Sequence, residues 1–346
     1  MAIKEYKLQE IGKFQNYENV FSKYHVSTDN MEGHKMPNFY PKLGNYFPKN
    51  SILMSNIRPY FNKVWYSDRE GSKSPNVLCF IVKNKNAISK YIYYLICGFK
   101  FNNFWSKTSK GTTMPVGDKN ALLNYKFKLP DLDEQQQIIN IIEPFEKLKL
   151  HLLKRKTLLI KLLDDLYLLN FSKNEKDILS FANLYNAKYK NQSLYIETSN
   201  IDENFSLINN LKTINENKKP CRANLTPKEN SLIFGKLIGS KKLFPIYDKQ
   251  YLNYVYSTGF YNISSNELDW YLFGFLNSND FITQKNSNSS GTLMEGITIN
   301  GLKKIKIKLP KINYCLNSIL YLISKYNVII EKIDSIISYL INIYIV

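Results

Sequence analysis

A chain of 346 residues has room for two domains of ordinary size, and its formal charge of +18 favours a polyanionic partner over an acidic-protein or neutral role. Charge alone does not decide for nucleic acid: lysine far outnumbers arginine, present only at Arg58, Arg69, Arg155 and Arg222, and the wealth of Asn, Ile and Tyr is what an AT-rich genome produces by itself. The widely spaced Cys79, Cys97, Cys221 and Cys315 exclude a zinc module, and no stretch approaches the ~18 uncharged apolar residues of a membrane span.

The opening MAIKEYKLQEIGKF lacks the apolar run of a signal peptide, so the expectation is a soluble cytoplasmic protein with reduced core thiols. Residues 1–133 read as a mixed α and β unit, with strands at Ser51–Met54, Val77–Val82 and Tyr125–Leu129 and a helix over Ile88–Phe104. Glu134–Phe171 has few turn formers and an apolar ladder at Ile138, Ile141, Phe145, Leu148, Leu152, Leu159, Leu162, Leu166 and Leu169. Spacings of three and four predict one long helix that buries this stripe against another helix, with Arg155 at the position the ladder skips and a kink or restart at Pro144. At 1.5 Å per residue such a helix spans about 55 Å.

The polar segment 172–177, SKNEKD, reads as a linker. A second unit follows over 178–311, with strands at Ser231–Phe234, Tyr254–Ser257 and Lys304–Leu309 and a helix at Glu267–Leu276. Residues 312–346 carry a second ladder: Ile319, Leu322, Tyr326, Ile329, Ile333, Ile336, Leu340 and Ile343. Two such helices in one chain are natural partners.

The two units are copies. SKGTTMPVGDKNALLNYKFKLP (Ser109–Pro130) returns as SSGTLMEGITINGLKKIKIKLP (Ser289–Pro310), and the pairs Ser51 and Ser231, Gly111 and Gly291, Met114 and Met294, and Pro130 and Pro310 each lie 180 apart. A constant offset with the same order of loop, strand and helix marks a tandem duplication.

No catalytic constellation assembles. Asn56-Ile57-Arg58-Pro59-Tyr60 is only superficially like the Asn-Pro-Pro-Tyr loop of amino-methyltransferases, because Ile57 and Arg58 replace the part that shapes the turn and no Gly-rich cofactor loop precedes it. Pro130-Asp131 with Glu134 lacks the Glu-x-Lys that a metal nuclease needs. His25, His34 and His151 have no metal-ligand spacing, and no Gly-x-x-x-x-Gly-Lys-Ser/Thr loop binds a nucleotide. A large, basic, duplicated chain of this kind reads as a reader or adaptor. Its candidate surface is the polar, aromatic-interleaved material around each Gly-Thr pair, Phe104–Thr112 and Thr283–Thr292, whose hydroxyls, ammonium groups and amides suit phosphates and base edges. The residues expected to meet DNA are Asn56, Arg58, Tyr60, Lys73, Lys107, Ser109, Lys110 and Thr112 in the first copy, and Lys236, Lys241, Lys242, Gln284, Lys285, Asn286, Ser290 and Thr292 in the second.

The succession ILMSNIRPYF (Ile52–Phe61), EGSKSPNVLCFIV (Glu70–Val82), SKGTTMP (Ser109–Pro115) and KFKLPDLDEQQQI (Lys126–Ile138) running into a long helix resembles the specificity subunits of type I restriction-modification systems, over nearly the whole chain. The resemblance implies an α+β fold: two tandem pseudo-symmetric target recognition domains separated by two long antiparallel coiled-coil helices. It implies that each domain reads half of a split double-stranded DNA target while the helices space the halves and dock two modification (methyltransferase) subunits. Restriction subunits complete the complex. S-adenosylmethionine, ATP and Mg then belong to the partner subunits, and this chain carries no catalytic residue, cofactor or metal. A helix of about 55 Å compares with one and a half turns of B-DNA at about 34–36 Å each.

The second copy departs from the pattern at Glu295 (Pro115 in the first) and at Asn313, Tyr314 and Cys315 (Asp133, Glu134 and Gln135), and its helix reaches Val346, equivalent to Leu166. The alternatives are the corresponding subunit of a type IIB or related enzyme and, from another class, a coiled-coil adaptor that touches no DNA.

Overall fold

The computed structural model describes residues 4–202, 205–207, 211–291 and 295–345, so Thr292 lies outside the described residues. The chain divides into two compact units: Met1–Lys147 with Asp334–Val346, and Leu148–Ile333.

In chain order the elements begin with β1 (Lys4–Lys7), α1 (Leu8–Ile11), β2 (Gly12–Phe14), β3 (Asn19–Val26), β4 (Tyr40–Phe47), β5 (Ile52–Ser55), β6 (Val64–Tyr66), β7 (Gly71–Lys73) and β8 (Val77–Val82). There follow α2 (Ser89–Cys97), α3 (Phe99–Thr108), α4 (Lys119–Leu123), β9 (Lys126–Leu129) and the long α5 (Leu132–Asn170). The second half has β10 (Phe171–Asp177), α6 (Ile178–Phe181), β11 (Asn183–Tyr185), β12 (Leu194–Ile196), β13 (Lys212–Thr213), β14 (Ala223–Leu225), β15 (Ser231–Gly235), β16 (Leu243–Ile246), β17 (Tyr254–Ser257) and β18 (Phe260–Ser264). It closes with α7 (Asp269–Asn277), α8 (Asn279–Ser287), β19 (Ser289–Ser290), β20 (Gly296–Ile297), α9 (Ile299–Leu302), β21 (Lys306–Pro310) and α10 (Asn317–Tyr344).

The duplication is visible in the topology. One four-stranded sheet has the order β2-β8-β5-β6 and its counterpart β11-β18-β15-β16, and β1 pairs with β9 as β10 pairs with β21. Strands β5 and β15 are apolar runs buried on both faces, which is why no alternation marks them in the sequence. Beside the sheets lie a closed β3-β4-β7 arrangement in the first unit and a β13-β12-β17-β14 sheet in the second. The helix expected over Ile88–Phe104 is two helices, because Gly98 adopts an extended conformation (φ −65°, ψ 151°) between α2 and α3. Ser278, 180 residues on, does the same (φ −72°, ψ 153°) and caps α8 by accepting from the Phe281 N–H. The polar 172–177 segment is also ordered: as part of β10 it runs antiparallel to β21, with Lys306 on Asp177 at 2.7 Å.

Each unit is built around both long helices. The first buries Ile138, Ile139 and Ile142 of α5 with Ile341 and Ile345 of the chain's end, among Leu8, Ile52, Phe80 and Trp105. The second buries Leu163 and Tyr167 of α5 with Leu320 and Ile323 of α10, among Phe234, Trp270 and Phe281. The two helices therefore pack together, running in opposite directions. α5 continues unbroken through Pro144, where burial of Ile138, Ile139 and Ile142 before it and of Leu152 after it holds both sides to one helix despite the lost hydrogen bond.

The buried stripe differs from the predicted ladder by one residue at several rungs. Ile138 and Leu152 are buried as expected, but Ile142, Leu163 and Tyr167 are the buried rungs where Ile141, Leu162 and Leu166 stood in the ladder, and at the turn the ladder skips Lys156 is buried and Arg155 exposed. Ile141, Leu148, Leu162 and Leu169 are exposed. On α10 the buried residues are Leu320, Ile323, Ser324, Asn327, Val328, Ile330, Ile333 and Ile341, while Leu322, Ile329, Ile336 and Ile343 are exposed at intervals of seven. Of the four thiols, expected in the core, Cys79 and Cys97 are buried whereas Cys221 and Cys315 are exposed in loops.

Candidate nucleic-acid interface

In the first unit two loops are zipped into one projecting surface. The chain leaves β5 through Asn56 and enters a single 3-10 turn, Pro59–Phe61, flanked by Arg58 (φ 50°) and Asn62 (φ 45°), both left-handed. Pro59 supplies the fixed φ of the turn's first position and is buried, so the two residues after it are thrust outward. The Arg58 N–H donates to Pro115 O at 2.7 Å, and Val116 bridges both Ile57 and Lys110. This contact unites the turn with the Gly-Thr loop that follows α3. The resulting tip exposes Arg58, Tyr60, Phe61, Lys107, Lys110 and Thr112 together with Met114 and Val116. The rings of Tyr60 and Phe61 lie 4.6 Å apart, and Lys110 pairs with Asp118 at 2.8 Å.

Two of the expected first-copy residues are elsewhere. Asn56 supports the tip from below: its N–H donates to Asn76 O and its carbonyl accepts from the Gly117 N–H, and its side chain is buried. The absence of a Cβ at Gly117 is what admits the Trp105 indole, since a Cβ there would stand 2.0 Å from Trp105 Nε1 and 3.0 Å from Asn56 Oδ1. Lys73 is fully buried in β7, donating to Asn16 Oδ1 at 3.1 Å, and burial pulls its pKa down. It belongs to the interior of the β3-β4-β7 arrangement, where a phosphate has no access. Ser109 is half-buried and spends its hydroxyl on Ser106 O.

The second unit repeats the frame with different chemistry. The β15–β16 turn is tied to the later loop by the Ile238 N–H on Glu295 O and by the Ile297 N–H on Lys236 O, the counterparts of the Arg58 N–H on Pro115 O and the Gly117 N–H on Asn56 O. Here, however, the turn is lysine and glycine. Lys236, Lys241 and Lys242 line a cleft of about 190 Å³ with Gly235, Gly239 and Gly259. Gly239 takes φ +70°, which few side chains tolerate, and its N–H is held by Asn286 Oδ1 at 2.9 Å. Lys236 lies over the Tyr261 ring at 4.1 Å with its pKa lowered by burial, Lys242 donates to Thr198 O, and Lys241 is exposed. A glycine-lined concavity ringed by ammonium groups suits a phosphate oxygen.

Gln284 and Lys285 are not free to touch a base. The Gln284 amide is saturated: Nε2 donates to Lys306 O and Asp280 Oδ1, and Oε1 accepts from the Lys306 N–H. It holds α8 to β21. Lys285 is buried at the position equivalent to Trp105, and its Nζ donates to Gly235 O and Ser240 O, bracing the lysine turn from beneath. Asn286 likewise serves the turn, while Ser290 is exposed. Residues 101–110 and 281–290 have the same sequence of buried, half-buried and exposed positions, so the frame is shared although the side chains are not. Phe61, Met114 and Val116 were not singled out by sequence, because a single exposed apolar residue has no periodic signature.

Burial lowers the Lys285 pKa to about 8, against an ordinary value of 10.5. Between those two pH values the unfolded chain holds a proton that the folded chain has released, so this group makes stability rise with pH through that window. The cost of burying the ammonium is present in full below pH 8. Urea unfolding of the wild type and K285M at pH 7.5 and 10 is expected to show the wild type gaining relative to the variant, by up to about 3 kcal/mol. Parallel pH dependence in the two proteins would exclude this role.

Among the described residues no group of three or more His, Cys, Asp or Glu side chains is placed to hold a metal ion, and no helix is long and apolar enough to cross a membrane.

Residues 6–162 match the protein family described as "Type I restriction modification DNA specificity domain". Over its whole length the chain is similar to the type I restriction-modification S subunit from M. genitalium, at 12% identity and a TM-score of 0.56, with 96% of that chain covered. At such identity the likeness is one of fold. The HsdS subunit from Thermoanaerobacter tengcongensis matches with 10% identity, 98% and 95% of the two chains covered and a TM-score of 0.36. A chain described under complex assembly and conformational transition of the type I R-M system matches with 10% identity, 97% and 92% covered and a TM-score of 0.35. No protein of curated function matches the sequence.

Proposed function

We propose, for a chain that is an HsdS-like DNA-specificity subunit of a type I restriction-modification system, that its two units read the two halves of a split DNA target and bring methyltransferase and restriction subunits to it. The observation that carries this reading is the repeated frame with different chemistry at its tips. The turn and Gly-Thr loop of the first copy present Arg58, Tyr60, Phe61 and Met114, and the corresponding β15–β16 turn of the second forms a lysine and glycine cleft. Lysines and glycine turns hold phosphates without regard to sequence, whereas aromatic, apolar and Arg groups reach base edges and thymine methyls. Two different tips on one frame are what a reader of two different half-sites requires.

The chain supplies recognition and no chemistry. Domains at 1–133 and 178–311 read, the segment 172–177 links, and the helices 134–171 and 312–346 space the half-sites and carry two modification subunits. Methyl transfer from S-adenosylmethionine and ATP- and Mg-dependent cleavage take place in those partners, in the cytoplasm where the DNA is. The exposed heptad stripes of α5 and α10 offer the partners an apolar seat.

Co-expression with the modification subunit followed by methylome sequencing tests the reading. A methylated motif in two parts separated by a fixed gap is expected. An undivided motif, or methylation by this chain alone, would sink it.

A further inference from the structure

In the second unit the apolar seam between α5 and α10 is interrupted by one polar step. Lys156 and Asn327 are each 1% exposed, and Lys156 Nζ donates to Asn327 Oδ1 at 2.9 Å and to Ser206 Oγ. Asn327 Nδ2 donates in turn to Phe205 O at 2.9 Å. Along the seam their neighbours are Leu152 and Leu163 on one helix and Leu320, Ile323 and Ile330 on the other. Apolar side chains accept one another in several registers, but a buried ammonium and amide accept only the one that pairs them. A slip of seven residues would set Lys156 against Leu320 in one direction, or Asn327 against Leu163 in the other.

The same step seats the recognition unit. Phe205 is held at φ 57°, unusual for a bulky residue, with its ring packed edge-on against Phe273 at 5.3 Å. Asp202 accepts from the Ser206 N–H at 2.9 Å, so the turn is shaped to present a carbonyl and a hydroxyl to the helices. One turn earlier on α10, buried Ser324 donates to Pro245 O at 2.9 Å. Two polar residues one turn apart on α10 therefore engage two separate parts of the unit, strand β16 and the turn at Phe205. Geometry so specific is not needed for stability alone, since apolar residues of similar volume commonly serve as well.

We propose that Lys156 and Asn327 form a register key: positioning residues that fix α5 against α10 and seat the second recognition unit on them, and so determine how strictly the gap between half-sites is enforced. This rests on the split-target reading above. The test uses the full chain in complex with its modification subunits and measures methyl transfer to duplexes with the native gap and with one base pair more or fewer. K156M/N327L is expected to methylate the altered gaps about tenfold better, relative to the native gap, than the wild type does, with both half-sites unchanged. A double variant that elutes and melts like the wild type and discriminates as sharply would overturn the proposal. Should it not assemble, K156R decides: its guanidinium still donates to Asn327 Oδ1 while Asn327 keeps its donation to Phe205 O, so discrimination is expected to persist, and its loss would overturn the key. Failure of the split-target reading looks different, because the wild type itself would then ignore the gap.

Discussion

The triple variant K236A/K241A/K242A, in complex with its modification subunits, is expected to bind target DNA on the order of 100-fold more weakly at 0.1 M salt, with a salt dependence shallower by about three contacts' worth. Each lysine that neutralises a phosphate releases condensed counterions and adds about 0.9 to the slope of log affinity against log salt, so three contribute about 2.7. Extrapolated from 1 M salt that slope alone is worth several hundred-fold at 0.1 M, and the figure is reduced because Lys242 already spends a proton on Thr198 O and Lys236 lies on Tyr261. The loss should be uniform across sequences, since the cleft offers ammonium groups and no base-reading fork. Fluorescence anisotropy over a salt series, on target and scrambled duplexes, measures both. An unchanged slope would mean that the cleft faces no phosphate, and a loss confined to the target duplex would mean that the turn reads bases.

This expectation depends on a distinction that sequence alone did not draw. The offset of 180 placed Lys285 beside Trp105 and Gln284 beside Phe104, and polar residues next to a Gly-Thr pair were natural candidates for contact with DNA. The strands that were legible owe it to the same cause as the repeat: apolar runs such as Ile52–Met54 and Leu232–Phe234 survive duplication because they fill a core. What a polar side chain does was not legible. Whether Gln284 faces solvent or β21 depends on where a strand 22 residues away passes, and whether Lys285 points outward depends on which carbonyls the turn at Gly235 and Ser240 leaves open. Composition encodes neither distance. Lys73 fails in the same way: the polar partner that makes its burial tolerable, Asn16, is 57 residues distant. Arg58 and Tyr60 are exposed because the 3-10 turn between left-handed Arg58 and Asn62 turns them outward.

The helices misled for a different reason, and that reason predicts the larger effect. Sequence periodicity detects apolarity, and α5 and α10 each carry two adjacent apolar stripes, of which the chain buries one. Leu163 is 0% exposed and its neighbour Leu162 is 44% exposed, yet nothing in their identity separates them. A surface helix that kept leucine and isoleucine at Leu162, Leu169, Leu322 and Ile329 with no partner would carry a standing aggregation hazard, so the second stripe is best accounted for by a protein that covers it. Replacing Leu162 and Ile329 together by Asp is therefore expected to abolish co-purification with the modification subunit and with it all methylation. Each buried, unpaired carboxylate at the centre of such an interface costs about 2–4 kcal/mol, at least a thousandfold in affinity for the two. The isolated chain should scarcely notice, because both positions face solvent and surface changes usually lie within about 0.5 kcal/mol. Matching melting curves together with lost co-purification is the expected pair of results. If the double variant still assembles and methylates, the exposed stripes seat no subunit; if it unfolds, they belong to the chain's own core.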